Sequence, residues 1–448
     1  MTVFAEQLAA FVTGLTAEPV PEQVLDHGRD RLLDAISTAI ASSDVATTQS
    51  VVAAAQALGG GGDECSVLPT GTRLNPSDAA LVNGTAVHAI LFEDINLSSS
   101  DHPGAVIVPA ALAAAESAGR VTGRPATIGD LVVAIVAGYE VHLRLGVLAA
   151  TGVKRRGLRT TAIFGTVGAS AAASSVYRLS GDRTATALAM GANTAFGFLE
   201  GFAHGTMEPY VQAGIAARNG LLSAFLSIGG VQTGPPAFEG GSGYFRGFAD
   251  LEPGEYELPG DWLIGGVTAK PYPISGGKIG SVDSAIAAYQ QGFGDAAITS
   301  VLVRMPVGIK EFPGADKRGP FTTMNEAQDS TQFCVGAALL GRDMSSLRTV
   351  MDEFDDPEVS KLSQVIELVS EPGRELARVE VKLSDGRTVA GEVDWTDRQV
   401  PTIASMSAKL RKLTAQRWPA DVSDKIIELV TGDPGRPVAE LSAVLARS

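Results

Sequence analysis

The segment Ile128–Val136 (IGDLVVAIV) is apolar nearly all round its helical circumference, and Thr127 stands where an N-cap belongs. A helix with no polar face has no side to show to water, so it has to sit inside a multi-helix core. Two alanine-rich stretches follow, Thr160–Ser175 and Thr184–Phe196. Side chains this small let helices approach closely, as in a large all-helical domain or a helical dimer interface. Upstream, Thr2–Leu15 and Glu22–Ala41 carry apolar residues at mixed three-and-four spacing (Leu25, Leu32, Leu33, Ile36, Ile40), punctuated by Pro19 and Pro21. Asn75–Asp78 opens a further helix after a loop with at most one short strand, and Met207–Ile228 reads as another.

From about Trp262 the texture changes. Ala297–Val307 alternates and is β-branched, which predicts a strand, and Arg378–Lys382 and Thr388–Val393 flank Ser384-Asp385-Gly386 as a hairpin. Helices are expected at Lys278–Gln291 and Glu326–Leu340, and again at 402–416, 421–431 and 438–446. The glycine-rich stretch before this change spaces Gly241, Gly243 and Gly247 unlike a dinucleotide fingerprint, and no strand leads into it.

A chain of 448 residues calls for two or three domains, with two expected, and 45% hydrophobic against 19% charged residues excludes disorder. With 35 basic and 50 acidic residues, net −15, neither nucleic acid nor an anionic membrane is expected as a partner; a small molecule is. Cys65 and Cys334 form no framework and exclude an all-cysteine iron–sulfur cluster, which fits a reducing cytoplasm. The N-terminus shows no signal-peptide pattern, and uninterrupted apolar runs such as Leu131–Gly138 are too short to span a bilayer, so a cytoplasmic location is expected.

Chemistry concentrates in Asn83–Glu116. Between two apolar helical segments lies a polar loop holding Glu93, Asp94, Asn96, three serines, Asp101 and His102. Pro103 suits the first turn of the next helix, which puts Asp101 and His102 at a helix N-terminus, where an anion is favoured. The plain alternative is a capping loop with a solvated acidic turn. His88 reads as a core histidine before a site residue, and Glu140 and Arg144 as an internal i,i+4 ion pair. Lys154, Arg155, Arg156 and Arg159 are the densest basic run: a solvated helix entrance, or a grip for carboxylates. Ser275-Gly276-Gly277-Lys278 precedes an apolar helix, so its N–H groups are candidates to cradle an anion, but without the Gly-Lys-Ser/Thr ending of a nucleotide loop. The five histidines show no close ligand spacing and the loop lacks a turn glycine, so no metal is expected.

The motif N-G-x-x-x-H at Asn83–His88, its acidic turn, H-P-G at His102, and P-A-A-L-A at Pro109 resemble the MmgE/PrpD family. So do Gly138–Gly146, Thr160–Ser174, Ala213–Leu226 and Ala269–Ala285, in the right order over nearly the whole chain. That family includes 2-methylcitrate dehydratase, cis-aconitate decarboxylase and iminodisuccinate epimerase. The resemblance implies a mainly α fold: a large all-helical domain (residues 1–265, completed by C-terminal helices 399–448) and an inserted smaller α+β lid domain (266–398), with the site in the cleft between them. A homodimer through the small-residue helices is also expected. Family members need no cofactor. They move a proton at a carbon next to a carboxylate, then eliminate water, lose carbon dioxide or invert a centre.

Carried over by position, His102 and Lys270 share the acid and base roles, and Arg159 holds an acidic group. Asp94, Thr160, Tyr210, Tyr272, Ser275 and Lys278 complete the candidate substrate-binding set. The departures are Leu91 where the acidic turn usually opens with aspartate, Arg159 for histidine, and Pro209 and Gln212 for a lysine and a histidine. After K-P-Y-P, Ile274–Lys278 stand where basic residues and histidine are common. They imply a new substrate, or a changed reaction on the same scaffold. The expectation is a lyase eliminating water or a small carboxylate such as acetate from a carbonyl- or carboxylate-bearing molecule; an epimerase or isomerase, a decarboxylase, and a non-catalytic binding homologue remain open.

Overall fold

The computed structural model describes residues 3–59, 62–394 and 400–446. The chain forms two compact units: Met1–Phe198, Tyr210–Ala269 and Val400–Ser448 make the larger, Leu199–Pro209 and Lys270–Gln399 the smaller. Leu199–Pro209 belongs to the smaller unit although it lies within residues 1–265, the span expected to belong to the helical domain. The smaller unit holds it because Asn325 Nδ2 donates to the Thr206 carbonyl at 3.2 Å and Phe202 packs on Phe312 with ring centroids 5.2 Å apart. The boundary expected at 398/399 lies at residues outside those described.

The larger unit is built round the helix Ile128–Arg155, opened by a capping box in which Thr127 and Asp130 satisfy each other's N–H groups. Its neighbour Thr160–Val176 is buried along its whole length. A Cβ on Gly138 would sit 2.8 Å from the Gly168 carbonyl oxygen, so the two helices meet backbone to backbone. That burial happens within one chain, and the small residues therefore do not by themselves require a second copy. Glu140 and Arg144 do pair, and Glu140 Oε1 also accepts the N–H groups of Leu263 (2.9 Å) and Ile264 (2.8 Å). The C-terminal helix Ile403–Thr414 packs on Glu22–Ala41, with Lys409 Nζ 2.6 Å from Asp34 Oδ1.

The short apolar runs of the sequence understate two helices. Gly104–Thr122 and Ile128–Arg155 are each long and apolar enough to cross a membrane, with 78% and 83% of the most apolar window buried inside the protein. Neighbouring helices take up that surface.

In the smaller unit a four-stranded sheet runs in the order Ile366–Glu371, Ile298–Pro306, Arg378–Leu383, Thr388–Glu392, the first pair parallel and the others antiparallel. Val301, Val303 and Met305 alternate into its core. The hairpin falls where the turn residues put it. The strand Ile366–Glu371 was not foreseen, and the helix expected over 326–340 breaks at Ser330, whose extended backbone and side chain cap a second helix at Thr331. Two further short ladders join Cys65–Val67 to Thr72–Leu74 and Asp94–Ile95 to Thr268–Ala269.

Candidate active site

After helix Pro76–His88 the chain turns through Leu91, whose φ of 49° is one that aspartate or asparagine adopts more readily. Asp94–Ile95 then pairs with Thr268–Ala269, and Asn96 and Asp101 exchange backbone bonds of 2.9 and 3.2 Å that close the loop on itself. The first turn of helix Thr160–Val176 clamps this loop: Thr160 Oγ1 donates to the Ser100 carbonyl at 3.0 Å, and Thr161 Oγ1 accepts the His102 N–H at 3.2 Å. Asp94 braces it from below. Its Oδ2 accepts from Tyr139 at 2.6 Å and its Oδ1 from the Gly104 N–H at 3.1 Å. A Cβ on Gly104 would lie 2.7 Å from Tyr139 Oη and 2.8 Å from Asp94 Oδ1, so this brace needs glycine. Burial raises the Asp94 carboxyl, with the nearby Arg31 opposing. The carboxylate that sequence put in the substrate-binding set is thus engaged in holding the loop.

The ionisable core of the site is Arg159, His88, Glu93 and His102, all buried. The Arg159 guanidinium contacts His88 Nε2; His88 Nδ1 lies 2.8 Å from Glu93 Oε1; His102 Nδ1 lies 3.0 Å from the same oxygen and 2.8 Å from the Asp94 carbonyl oxygen. These contacts assign the protons. A guanidinium only donates, so His88 Nε2 accepts and its ring proton is on Nδ1, given to Glu93. Burial, reinforced by Arg159 and His102 and opposed by Glu93, pushes His88 down to about 3, so the ring is neutral. His102 Nδ1 faces a carbonyl and a carboxylate, both acceptors, so it too carries a proton. That makes Nε2 the proton-accepting nitrogen of His102, on a side chain 11% exposed. The His88 ring sits 5.0 Å from the His102 ring and 5.6 Å from Tyr210, centroid to centroid.

His88, Glu93 and His102 offer donor atoms within 4.8 Å of one another, the spacing of a metal site. The donor chemistry does not fit one. A metal on His88 Nδ1 would displace its proton and leave Nε2–H, a donor, facing the donor Arg159.

A family model for the MmgE/PrpD N-terminal domain matches residues 6–257, more than half of the chain. The chain belongs to the MmgE/PrpD family. A cis-aconitate decarboxylase-like protein of Aspergillus oryzae is 32% identical over 228 residues, 50% of this chain but only 46% of that protein, so this match spans under half the relative's length. The cis-aconitate decarboxylase of Aspergillus terreus is 24% identical over 417 residues, covering 87% of this chain and 84% of that enzyme. The human cis-aconitate decarboxylase is 26% identical over 380 residues, 80% and 76% of the two chains.

Of the positions singled out from the family pattern, His102, Arg159, Thr160, Asp94 and Tyr210 come together in the larger unit. Lys270, Tyr272, Ser275 and Lys278 belong to the smaller unit, Lys270 buried and directly following the Ala269 that pairs with Asp94. Tyr272 donates to Asp283 at 2.7 Å. In the segment Ser275–Lys278, where an anion cradle was expected, the Ser275 N–H goes to the Gln328 carbonyl (3.1 Å) and the Lys278 N–H to the Ser275 carbonyl (3.1 Å), closing a 3₁₀ turn. Lys278 Nζ instead reaches Ser275 Oγ at 3.2 Å and lies 4.8 Å over the Phe312 ring. Lys154, Arg155 and Arg156 are exposed at a helix end, as the plainer reading had it. His88 is both core residue and site residue. Its place five residues before Glu93 in a family motif was the available signal. Tyr139, one residue before Glu140 on helix Ile128–Arg155, was missed as the partner of Asp94.

Proposed function

We propose that the protein is a lyase acting on a small carbonyl- or carboxylate-bearing molecule, by β-elimination of water or a small carboxylate such as acetate. One observation carries this reading: the Nδ1–H of His102 is pinned by Glu93 and the Asp94 carbonyl, which leaves Nε2 as a base. In the proposed step, Nε2 takes the proton from the carbon next to the carbonyl or carboxylate. The C–H electron pair forms the carbon–carbon double bond, and the β C–O bond breaks towards the leaving group. The imidazolium so formed keeps its second N–H on the Glu93 carboxylate, which stabilises it. Lys270, carried over from the family pattern, supplies the proton to the departing oxygen.

Decarboxylation is the second reading, favoured by what the relatives are named for. It uses the same histidine in the opposite sense, as an imidazolium delivering a proton to the carbon that lost carbon dioxide. The replacement of a lysine and a histidine by Pro209 and Gln212, and the contact of Arg159 with His88, favour a substrate with fewer carboxylates than cis-aconitate.

Incubation of the protein in D₂O with cis-aconitate and a panel of β-hydroxy and β-acetoxy acids and ketones, followed by proton NMR, separates the readings. Elimination yields the alkene with free water or acetate; decarboxylation yields carbon dioxide and one deuterium on carbon. His102→Asn, which keeps the N–H towards Glu93 but has no base, is expected to lose at least ~100-fold in kcat. Full activity in that variant overturns the reading.

A further inference from the structure

Arg159 occupies a position from which a guanidinium could grip a substrate carboxylate, but its contact with His88 gives it a different task. We propose that Arg159 is a positioning residue that acts through His88 and Glu93 to fix the tautomer of His102, a role that rests on His102 being the base. The direction of the His88 bonds follows from the first contact. The guanidinium has no acceptor, so it forces His88 Nε2 to accept and His88 Nδ1 to carry the proton. That proton goes to Glu93 Oε1, which also accepts the His102 Nδ1–H. The Asp94 carbonyl supports the same His102 tautomer from the backbone, and His88 stays neutral because it is fully buried.

Without Arg159 the donor that makes His88 Nε2 accept is lost. The ring with its proton on Nε2 would then set a lone pair at Nδ1 against the Glu93 carboxylate 2.8 Å away. Relief requires Glu93 to turn or take up a proton, and either change weakens its hold on His102. The family histidine replaced by Arg159 could not act this way with certainty, since an imidazole can donate or accept.

The test reads the protons directly, by long-range ¹H–¹⁵N correlation spectra of histidine-labelled protein. In the wild type, His88 is expected as the neutral Nδ1–H tautomer and His102 with a proton on Nδ1. A wild-type His88 found as Nε2–H or as imidazolium overturns the proposal without any variant. Arg159→Met is expected to move both rings towards mixed tautomers, and Arg159→Lys, again a pure donor, to restore them. Unchanged tautomers in Arg159→Met also overturn it. Kinetics supply the second readout: a positioning role lowers kcat about 10-fold or more with KM within about 3-fold, whereas a carboxylate grip raises KM and leaves the tautomers alone. Full activity in His102→Asn would refute the base assignment separately, whatever the tautomers show.

Discussion

In the larger unit Glu93 receives two imidazole N–H groups and each proton of the cluster has one place to be; in the smaller unit Lys278 is held by one hydroxyl and the face of Phe312. Burial lowers the Lys278 ammonium from its ordinary value, opposed by the charges of Asp329 and Cys334. Burial also drives the Cys334 thiol up to about 12, so the lysine's lasting counter-charge is Asp329. The first cluster can pass a proton through His102 Nε2 while its other bonds stay in place. The second gains nothing from losing its proton except a buried carboxylate without its cation. Two clusters of similar polarity therefore differ in purpose: one is arranged round an available lone pair, the other round charge balance.

The contrast is sharpest in activity. His102→Asn should cost at least ~100-fold in kcat and Lys278→Met less than ~10-fold in the assay that detects turnover. Equal losses would break the distinction. In stability the order reverses. Lys278→Met leaves the Asp329 carboxylate buried without its cation and should cost about 3 kcal/mol in urea denaturation, with Asp329→Asn added in the same chain recovering more than half. A double variant as unstable as the two single losses summed would show that the two groups are not coupled.

Acid should find the larger cluster. His88 has a folded value of about 3 against an ordinary 6.5, so between those limits the unfolded chain binds a proton that the folded chain refuses. Its contribution to stability is therefore lost as pH falls from 6.5 towards 3, by roughly 1.4 kcal/mol per pH unit at most. His88→Gln should flatten that part of the profile of unfolding midpoint against pH; an unchanged slope would mean His88 is protonated in the folded protein. The smallest effect expected is at the brace. Tyr139→Phe removes one buried donor from Asp94 and should lower stability by about 1–2 kcal/mol, read as a drop in Tm, with a smaller fall in kcat because the loop bearing His102 keeps its clamp at Thr160 and Thr161.

Much of the local structure was legible in the sequence because its causes are local. Glu22–Ala41 begins and ends where its spacing and Pro21 put it, Thr127 caps, Glu140 finds Arg144 one turn on, and Ser384-Asp385-Gly386 turns the hairpin. Each of these depends on residues within a few positions of one another. Where the partner is distant the reading failed. Ile366–Glu371 is a strand only because Ile298–Pro306 lies beside it in parallel, and Leu199–Pro209 joins the smaller unit only through residues more than a hundred positions away. The Ser275 N–H, which the sequence offered to an anion, goes to the Gln328 carbonyl 53 positions away.

The same division runs through the site. The order of motifs marked the family and picked out His102 and Arg159 as chemically useful residue types, because side-chain identity is written in the chain. Which nitrogen of His102 can accept a proton is not written there. It depends on Glu93 and the Asp94 carbonyl lying on the Nδ1 side, on Thr161 holding the His102 backbone from 59 residues away, and on Arg159 reaching His88 across 71. A tautomer is selected by the donors and acceptors around a ring, and only the packed tertiary structure brings those together.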